Sequence, residues 1–164
     1  MKTPYSILIA IFVFVLFASP VAAQVGTPWD QQINNPNRFK VLTDFGGAAV
    51  LDKETGLVWE QSPDRTQSWL FAQFHCNSRN VGGRKGWRRP TVQELASLID
   101  PTVPFPGPTL PSGHPFSNVQ FPFEYWSATT FTGAASSAWF VFFGVVVVGI
   151  DDKPLFKFVW CVRG

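Results

Sequence analysis

Short apolar runs separated by turn residues make up most of the chain from residue 39 onwards. In the first part, these runs are interrupted at residues 44–47 (Asp-Phe-Gly-Gly) and 53–56 (Lys-Glu-Thr-Gly). Turn residues between runs of β-branched and aromatic residues are typical of strands joined by short connections. We therefore expect a hairpin formed by residues 49–51 and 57–60.

Two helices are expected in the middle of the chain. Ser68 can cap a helix whose apolar residues recur at near-helical spacing and which ends close to Cys76. After a glycine-rich loop, Thr91 and Glu94 have the spacing of a capping box. The second helix is expected from about Val92 to Ile99.

A proline-rich segment separates the helices from the end of the chain. Residues 101–122 contain seven prolines and show no regular period, which predicts an extended surface loop. A loop of this length is either functional or packed down by its own aromatic side chains, Phe105, Phe116 and Phe121. We favour packing.

The last third of the chain is rich in aromatic and β-branched residues, which favours strands. The expected strands are residues 125–130, 138–143, 145–150 and 156–162. Two helices followed by strands, with further strands at the start, indicate an α+β fold. Its parts are two short helices, antiparallel strands and a long proline-rich loop.

The first residues have the pattern of an export signal. Lys2 gives a positive start, residues 7–18 are apolar, and residues 21–23 (Val-Ala-Ala) are small enough for cleavage. An uncleaved membrane anchor is the alternative, but the apolar stretch is short for a bilayer span. We expect a signal peptide at 1–23, a flexible tether at 24–37, one domain at 38–164, and no membrane span after cleavage.

The net charge and the number of cysteines indicate which classes of function and which kind of covalent bond to expect. The chain carries 13 Lys and Arg against 11 Asp and Glu, so loss of Lys2 lowers the net charge from +2 to +1 and leaves no case for nucleic acid binding. Exported cysteine pairs usually close, so Cys76 and Cys161 are expected to form a disulfide. A reactive thiol pair is the alternative, but their spacing does not favour it.

The residue types needed for catalysis or metal binding are not grouped in the sequence. His75 and His114 are the two histidines, and no cluster has zinc-ligand spacing. Glu124 and Asp151–Asp152 are too isolated to indicate a calcium site. We therefore expect no cofactor, no metal and no enzymatic activity.

Five ordered motifs resemble those of the Lcl C-terminal domain family. They are residues 55–59, residues 86–91 with Glu94-Leu95, residues 125–130, Ala138-Trp139 and residues 161–164. The resemblance covers about residues 38–164. It implies a fold similar to C-type lectins and formylglycine-generating enzymes, and a role in binding sulfated glycans and in attachment.

Most motif residues are interpreted as architecture. These residues are Trp59, Trp87, Pro90, Thr91, Glu94, Trp126, Trp139 and Arg163. The four tryptophans are expected in the core, with stacking against a sugar as the alternative. Arg88 and Arg163 are expected to bond backbone carbonyls in tight loops.

Arg89 departs from the family pattern, which usually has an aliphatic residue after Arg88, and it belongs to a run of basic residues. Five cations fall within eleven residues, with no acid among them: Arg79, Arg84, Lys85, Arg88 and Arg89. Such a loop is either a solvated surface or a site for a sulfated or acidic glycan. The five residues are the candidate ligand-binding set.

A second departure is the stretch from residue 138 to 150, which contains no charged residue. This β-prone stretch is either buried or an exposed adhesive patch, and we expect burial.

The sequence features together suggest two functions. The first is a periplasmic or secreted binding and adhesion module for a polyanionic glycan or envelope component. The alternative is an assembly subunit that pairs with itself or with an envelope protein through this hairpin.

Overall fold

Two β-sheets and two short helices make up residues 35–164, the part of the chain that the computed structural model describes. The strands are β1 Phe39–Val41, β2 Ala49–Asp52, β3 Val58–Glu60, β4 Arg65–Gln67, β5 Glu124–Thr130, β6 Ser137–Phe142, β7 Val147–Asp152, β8 Lys157–Val159 and β9 Val162–Arg163. The helices are α1 Trp69–Ser78 and α2 Val92–Ala96. The fold is α+β, as expected, and consists mostly of β-strands. The expected signal peptide at 1–23 lies outside the described residues, as does the expected tether apart from residues 35–37.

The strands form one sheet of four and one sheet of five. The first has the order β1-β2-β3-β9, and the second has the order β4-β8-β5-β6-β7, in which only the β5–β8 pair is parallel. The expected hairpin is present as β2 and β3, with Val50 opposite Trp59. The expected last strand is wrong as a single element, because β8 and β9 belong to different sheets.

The helices differ from the expectations at their ends. Ser68 occupies the N-cap of α1, but its side chain makes no capping hydrogen bond. Thr91 and Glu94 form the expected capping box at α2. This helix ends at Ala96, earlier than expected, although Leu98 remains fully buried. No helix among residues 35–164 is long and apolar enough to cross a bilayer.

Aromatic side chains fill the larger of the two core clusters. Trp59, Trp160 and Phe116 pack edge to face, with Trp59–Trp160 centroids 5.7 Å apart and Phe116–Trp160 centroids 4.9 Å apart. Leu95 and Leu98 cover this cluster after the capping box of α2. The smaller cluster contains Ala72, Trp87, Trp126, Cys76 and Cys161. It therefore joins α1 to the five-stranded sheet.

Cys76 and Cys161 form the expected disulfide. Their α-carbons are 5.4 Å apart, and both side chains are fully buried. Cys161 lies between β8 and β9, where the chain passes from one sheet to the other. The bridge therefore fastens α1 to the junction of the two sheets.

Residues 97–123 contain no helix or strand. The segment is held to the core by Phe116, which is 6% exposed, and by Ser117, whose amide donates to the Gln61 carbonyl at 2.9 Å. Phe105 is 75% exposed and contributes no such packing. Packing by its own aromatics therefore holds for part of this segment only.

The uncharged stretch 138–150 is only half buried. On β6, Ala138 and Val141 are fully buried, whereas β7 forms the sheet edge and leaves Val147, Val148 and Ile150 between 41% and 43% exposed. The expectation of burial is thus wrong for β7. Apolar composition predicts a strand but does not distinguish a central strand from an edge strand.

Candidate functional site

Two of the five candidate cations are held by acidic partners. The Arg79 Nε atom donates to Glu60 Oε1, and the 3% exposed Glu60 side chain also accepts from the Cys161 amide at 3.0 Å. Arg88 forms a two-pronged ion pair with Glu94, at 2.8 and 2.7 Å. This pair raises the pKa of Arg88 and lowers that of Glu94. Both arginines are therefore already neutralised inside the domain.

Arg89 is a core residue, which corrects its assignment as a ligand-binding residue. Its side chain is 2% exposed, lies 4.0 Å from the centre of the Trp69 ring, and donates to the Trp69 carbonyl at 2.5 Å and to Gln73 Oε1 at 3.1 Å. Burial lowers the pKa of Arg89 to about 10. Arg89 thus anchors α1 to the loop before α2.

A lysine at position 89 should test this structural role. Arg89→Lys keeps the charge but loses the planar group that stacks on Trp69 and reaches two acceptors, so the free energy of unfolding should fall by about 2 kcal/mol. Urea unfolding measures the change. The matched control is Arg84→Lys, an exposed position where the change should stay within about 0.5 kcal/mol. Equal effects of the two substitutions would contradict a core role for Arg89.

The remaining cations surround one aromatic ring. The guanidinium carbons of Arg84 and Arg163 lie 5.3 and 5.9 Å from the centre of the Phe45 ring, and exposed Lys85 follows Arg84. We call Phe45, Arg84, Lys85 and Arg163 the Phe45 cluster. It joins two of the five candidate residues to a motif arginine near the chain end.

Local backbone geometry explains how the cluster forms. Arg88 and Val162 exchange two backbone hydrogen bonds of 2.8 Å, which sets the basic loop beside β9 and therefore beside Arg163. Gly82 has a φ of +56°, and a Cβ atom there would lie 2.3 Å from the Phe45 carbonyl oxygen. Glycine at position 82 therefore allows the loop to press against Phe45.

The Phe45 cluster is suited to bind anions. Within residues 35–164, no carboxylate lies within ion-pair distance of Arg84, Lys85 or Arg163. Exposed Asp44 precedes Phe45 and offsets the positive charge only in part. Guanidinium groups bind sulfate and carboxylate in bidentate geometry.

The motif tryptophans are mainly structural. Trp59, Trp87 and Trp126 are at most 2% exposed, which leaves no face for a sugar. Trp139 is half buried against Phe131, with ring centroids 5.7 Å apart. Of the two arginines expected to bond carbonyls, Arg88 donates weakly to the Arg89 carbonyl at 3.3 Å and mainly to an acid.

A buried lysine forms a cluster that the sequence did not indicate. Lys157 is 5% exposed and pairs with Asp151 at 2.8 Å and with Glu124 at 3.7 Å. Its ammonium group also lies over Phe140 and Trp126, at 4.4 and 5.1 Å from the ring centres. Glu124 and Asp151 are 27 residues apart along the chain, and Asp151 and Lys157 are 6 residues apart, so the sequence does not indicate this grouping. The strand order of the five-stranded sheet brings the three charges together.

A second unexpected feature is an open cavity of about 380 Å³ between α1 and β4. Phe71 and Phe74 form its apolar wall and are 60% and 59% exposed, while Arg65 and Gln67 form the opposite side. His75 also lines the cavity, and burial together with nearby Arg79 lowers its pKa. Among the described residues, no group of three His, Cys, Asp or Glu side chains is placed to hold a metal ion.

Comparison with known proteins gives a family match. A family model described as the Lcl C-terminal domain matches residues 48–163. The matched range includes both cysteines, α1, α2, the basic loop and the five-stranded sheet. A search of curated proteins found no match.

Proposed function

Because the chain belongs to the Lcl C-terminal domain family, we propose that it is a non-catalytic binding and adhesion module for a polyanionic glycan. The ligand class is a sulfated or otherwise acidic polysaccharide. Both cysteine sulfurs are engaged in a buried bridge, which supports a rigid binding scaffold rather than thiol chemistry.

The Phe45 cluster is the observation that carries this proposal. Two guanidinium groups flank one ring, and an exposed lysine adds a third cation beside them. Every other candidate cation has an internal acidic partner or is buried. Among the five candidate cations, attraction for a polyanion is therefore expected at Arg84 and Lys85.

We further propose a C-type-lectin-like arrangement in an extracytoplasmic compartment. In this view, residues 97–123 form the long irregular loop region of such a domain, and the disulfide joins its first helix to the last part of the chain. A disulfide between residues 85 positions apart is compatible with an oxidising compartment.

Charge reversal tests the glycan proposal. In Arg84→Glu/Lys85→Glu, affinity for heparin should fall about tenfold or more, because two favourable exposed contacts become repulsive and each contact contributes up to ~1 kcal/mol. The protein should elute from a heparin column at lower salt, and titration with a heparin oligosaccharide should give the affinity.

The matched control is Lys40→Glu/Lys53→Glu, which changes the net charge equally at exposed lysines outside the Phe45 cluster. Its affinity should change much less. If both double variants lose affinity to the same extent, heparin senses only net charge, and the site assignment is wrong. If the unmodified protein does not bind heparin at low salt, the proposed ligand class is wrong.

The exposed edge strand β7 favours a second candidate function, assembly with further protein chains. Val147, Val148 and Ile150 leave apolar side chains in solvent beside a free strand edge. Monomeric proteins normally protect such edges with charges, proline or bulges. This function requires that the purified protein associates as its concentration rises.

A further inference from the structure

From the two edges of the five-stranded sheet, we infer that the protein associates head to tail, with β7 of one copy docking on β4 of the next. This inference rests on the second candidate function and specifies its acceptor surface. The two edges belong to one sheet, of order β4-β8-β5-β6-β7. A second copy placed beside the first therefore continues the sheet.

Strand direction favours this contact. Three of the four pairings between β4 and β7 are antiparallel, and the β8–β5 pair is parallel. It follows that β7 runs opposite to β4. When the sheet continues into a second copy without inversion, β7 and the new β4 form an antiparallel pair, the more stable kind.

Both edges are free of backbone partners within the described chain. Outside the sheet pairings, none of the backbone hydrogen bonds among residues 35–164 involves Arg65–Gln67 or residues 147–150. The β7 edge lacks charged residues between positions 147 and 150, so nothing on it repels a second strand.

The residues on the α1 side of the two edges can be placed in register. Residues on the α1 side of the sheet are Val147, Gly149 and Asp151 on β7, and Arg65 and Gln67 on β4. In the register that sets Asp151 opposite Arg65, Gly149 faces Gln67. The next residue on that side, Val147, then reaches the start of α1.

The α1 side of the acceptor offers an apolar surface at the same place. Phe71 and Phe74 form the wall of the open cavity beside Arg65 and Gln67, and both rings are more than half exposed. An exposed valine docking there covers apolar surface on both copies. Charge contributes little to this match, because Asp151 already pairs with Lys157 at 2.8 Å, whereas Arg65 makes only a 3.8 Å contact with exposed Asp64.

Head-to-tail contact does not close on itself. Each copy that offers β7 to one neighbour still presents β4 to another, so association continues into open chains. A pairing of β7 with a second β7 would instead stop at a dimer. Head-to-tail association therefore requires a free β4 edge, whereas a β7–β7 dimer does not.

Blocked variants test the inference by sedimentation of the purified full chain. Val148→Lys/Ile150→Lys blocks the β7 edge, and Thr66→Lys/Phe71→Lys blocks the β4 edge; all four residues are exposed. The unmodified protein should rise in average mass with concentration beyond that of two chains. Each variant alone should stay at the mass of one chain, and their mixture should recover a 1:1 dimer through the two intact edges.

Val41→Lys/Phe105→Lys is the control, since it adds equal charge at exposed apolar residues away from both edges, and it should associate like the unmodified protein. Association of Thr66→Lys/Phe71→Lys at the unmodified level overturns the inference while leaving assembly through β7 in place. An unmodified protein that stays monomeric at all concentrations overturns both. Retention on heparin is measured separately and depends on neither outcome.

Discussion

Replacing both cysteines, in Cys76→Ala/Cys161→Ala, should lower the free energy of unfolding by roughly 4 kcal/mol, because the bridge closes a loop of 85 positions and restricts the unfolded chain. Both sulfurs are fully buried next to Trp87 and Trp126, so their removal also loosens the packing of α1 on the sheet. This loss is a large fraction of the stability of a domain of this size. Guanidinium unfolding of the two proteins under non-reducing conditions measures it.

The unmodified protein in excess reductant is the control, since it loses the bond but keeps both sulfur atoms. It should unfold at nearly the same denaturant concentration as the double variant. A difference of less than about 1 kcal/mol between bridged and unbridged protein would contradict the role assigned to the disulfide.

Asp52→Asn should have the second large effect, a loss of about 3 kcal/mol, because it leaves the buried Arg38 guanidinium without its main acidic partner. Asp52 is fully buried and accepts two hydrogen bonds from Arg38, at 2.9 and 2.7 Å. Arg38 also donates to the Ser97 carbonyl at 2.8 Å. The pair therefore fastens the first sheet to the end of α2, and thermal or urea unfolding should report its loss.

Glu54→Gln serves as the control, since Glu54 lies 3.3 Å from the same guanidinium but is 28% exposed, and its loss should cost less than about 1 kcal/mol. Although burial acts to raise it, the pKa of Asp52 is lowered overall by Arg38. The pair thus stabilises the fold above the ordinary pKa of aspartate, and this contribution is lost as the pH falls through the lowered value. Asp52→Asn should remove that part of the acid sensitivity. Unchanged stability and acid sensitivity would show that the pair is not structurally important.

Much of the architecture could be predicted because it depends on short sequence patterns, such as turn residues and helix caps. The β2–β3 hairpin follows from glycine turns between apolar runs, and the α2 capping box follows from Thr91 and Glu94. The disulfide was expected from the pattern of an export signal and the presence of two cysteines, without knowledge of any distance. Family membership likewise follows from motifs that are mostly turns, caps and core residues.

The site was harder to predict from the sequence. The sequence shows which residues are charged, but the burial of each side chain depends on contacts with distant parts of the chain. Arg84 and Arg89 look alike in the sequence, yet Arg84 is exposed and Arg89 is 2% exposed beneath Trp69. Phe45 and Arg163, which complete the cluster, are far from the basic loop in sequence. The backbone pairing of Arg88 with Val162 brings Arg163 beside the loop, and the close approach of Gly82 brings Phe45 there.

The composition of β7 predicted a strand but could not predict its place in the sheet. Valines at 145–148 predict a strand, but edge and central strands can share a composition. The structure assigns β7 to the edge and β6 to the interior.

The two proposed activities support each other physically. A cluster of three cations, of which Arg163 is partly buried, binds a glycan weakly by itself. Copies aligned in a chain would present repeated clusters to a repetitive polyanion, and simultaneous contacts raise the overall affinity strongly without any new contact type. Adhesion to a polymer surface is the setting in which this gain matters.

Amide NMR spectra of the isotope-labelled protein, titrated with a heparin tetrasaccharide, test the central claim most directly. We expect saturable shifts confined to residues 44–46, 82–86 and 162–164, which surround the Phe45 cluster. Saturable shifts that avoid these segments, or no saturable shifts at low salt, would contradict it.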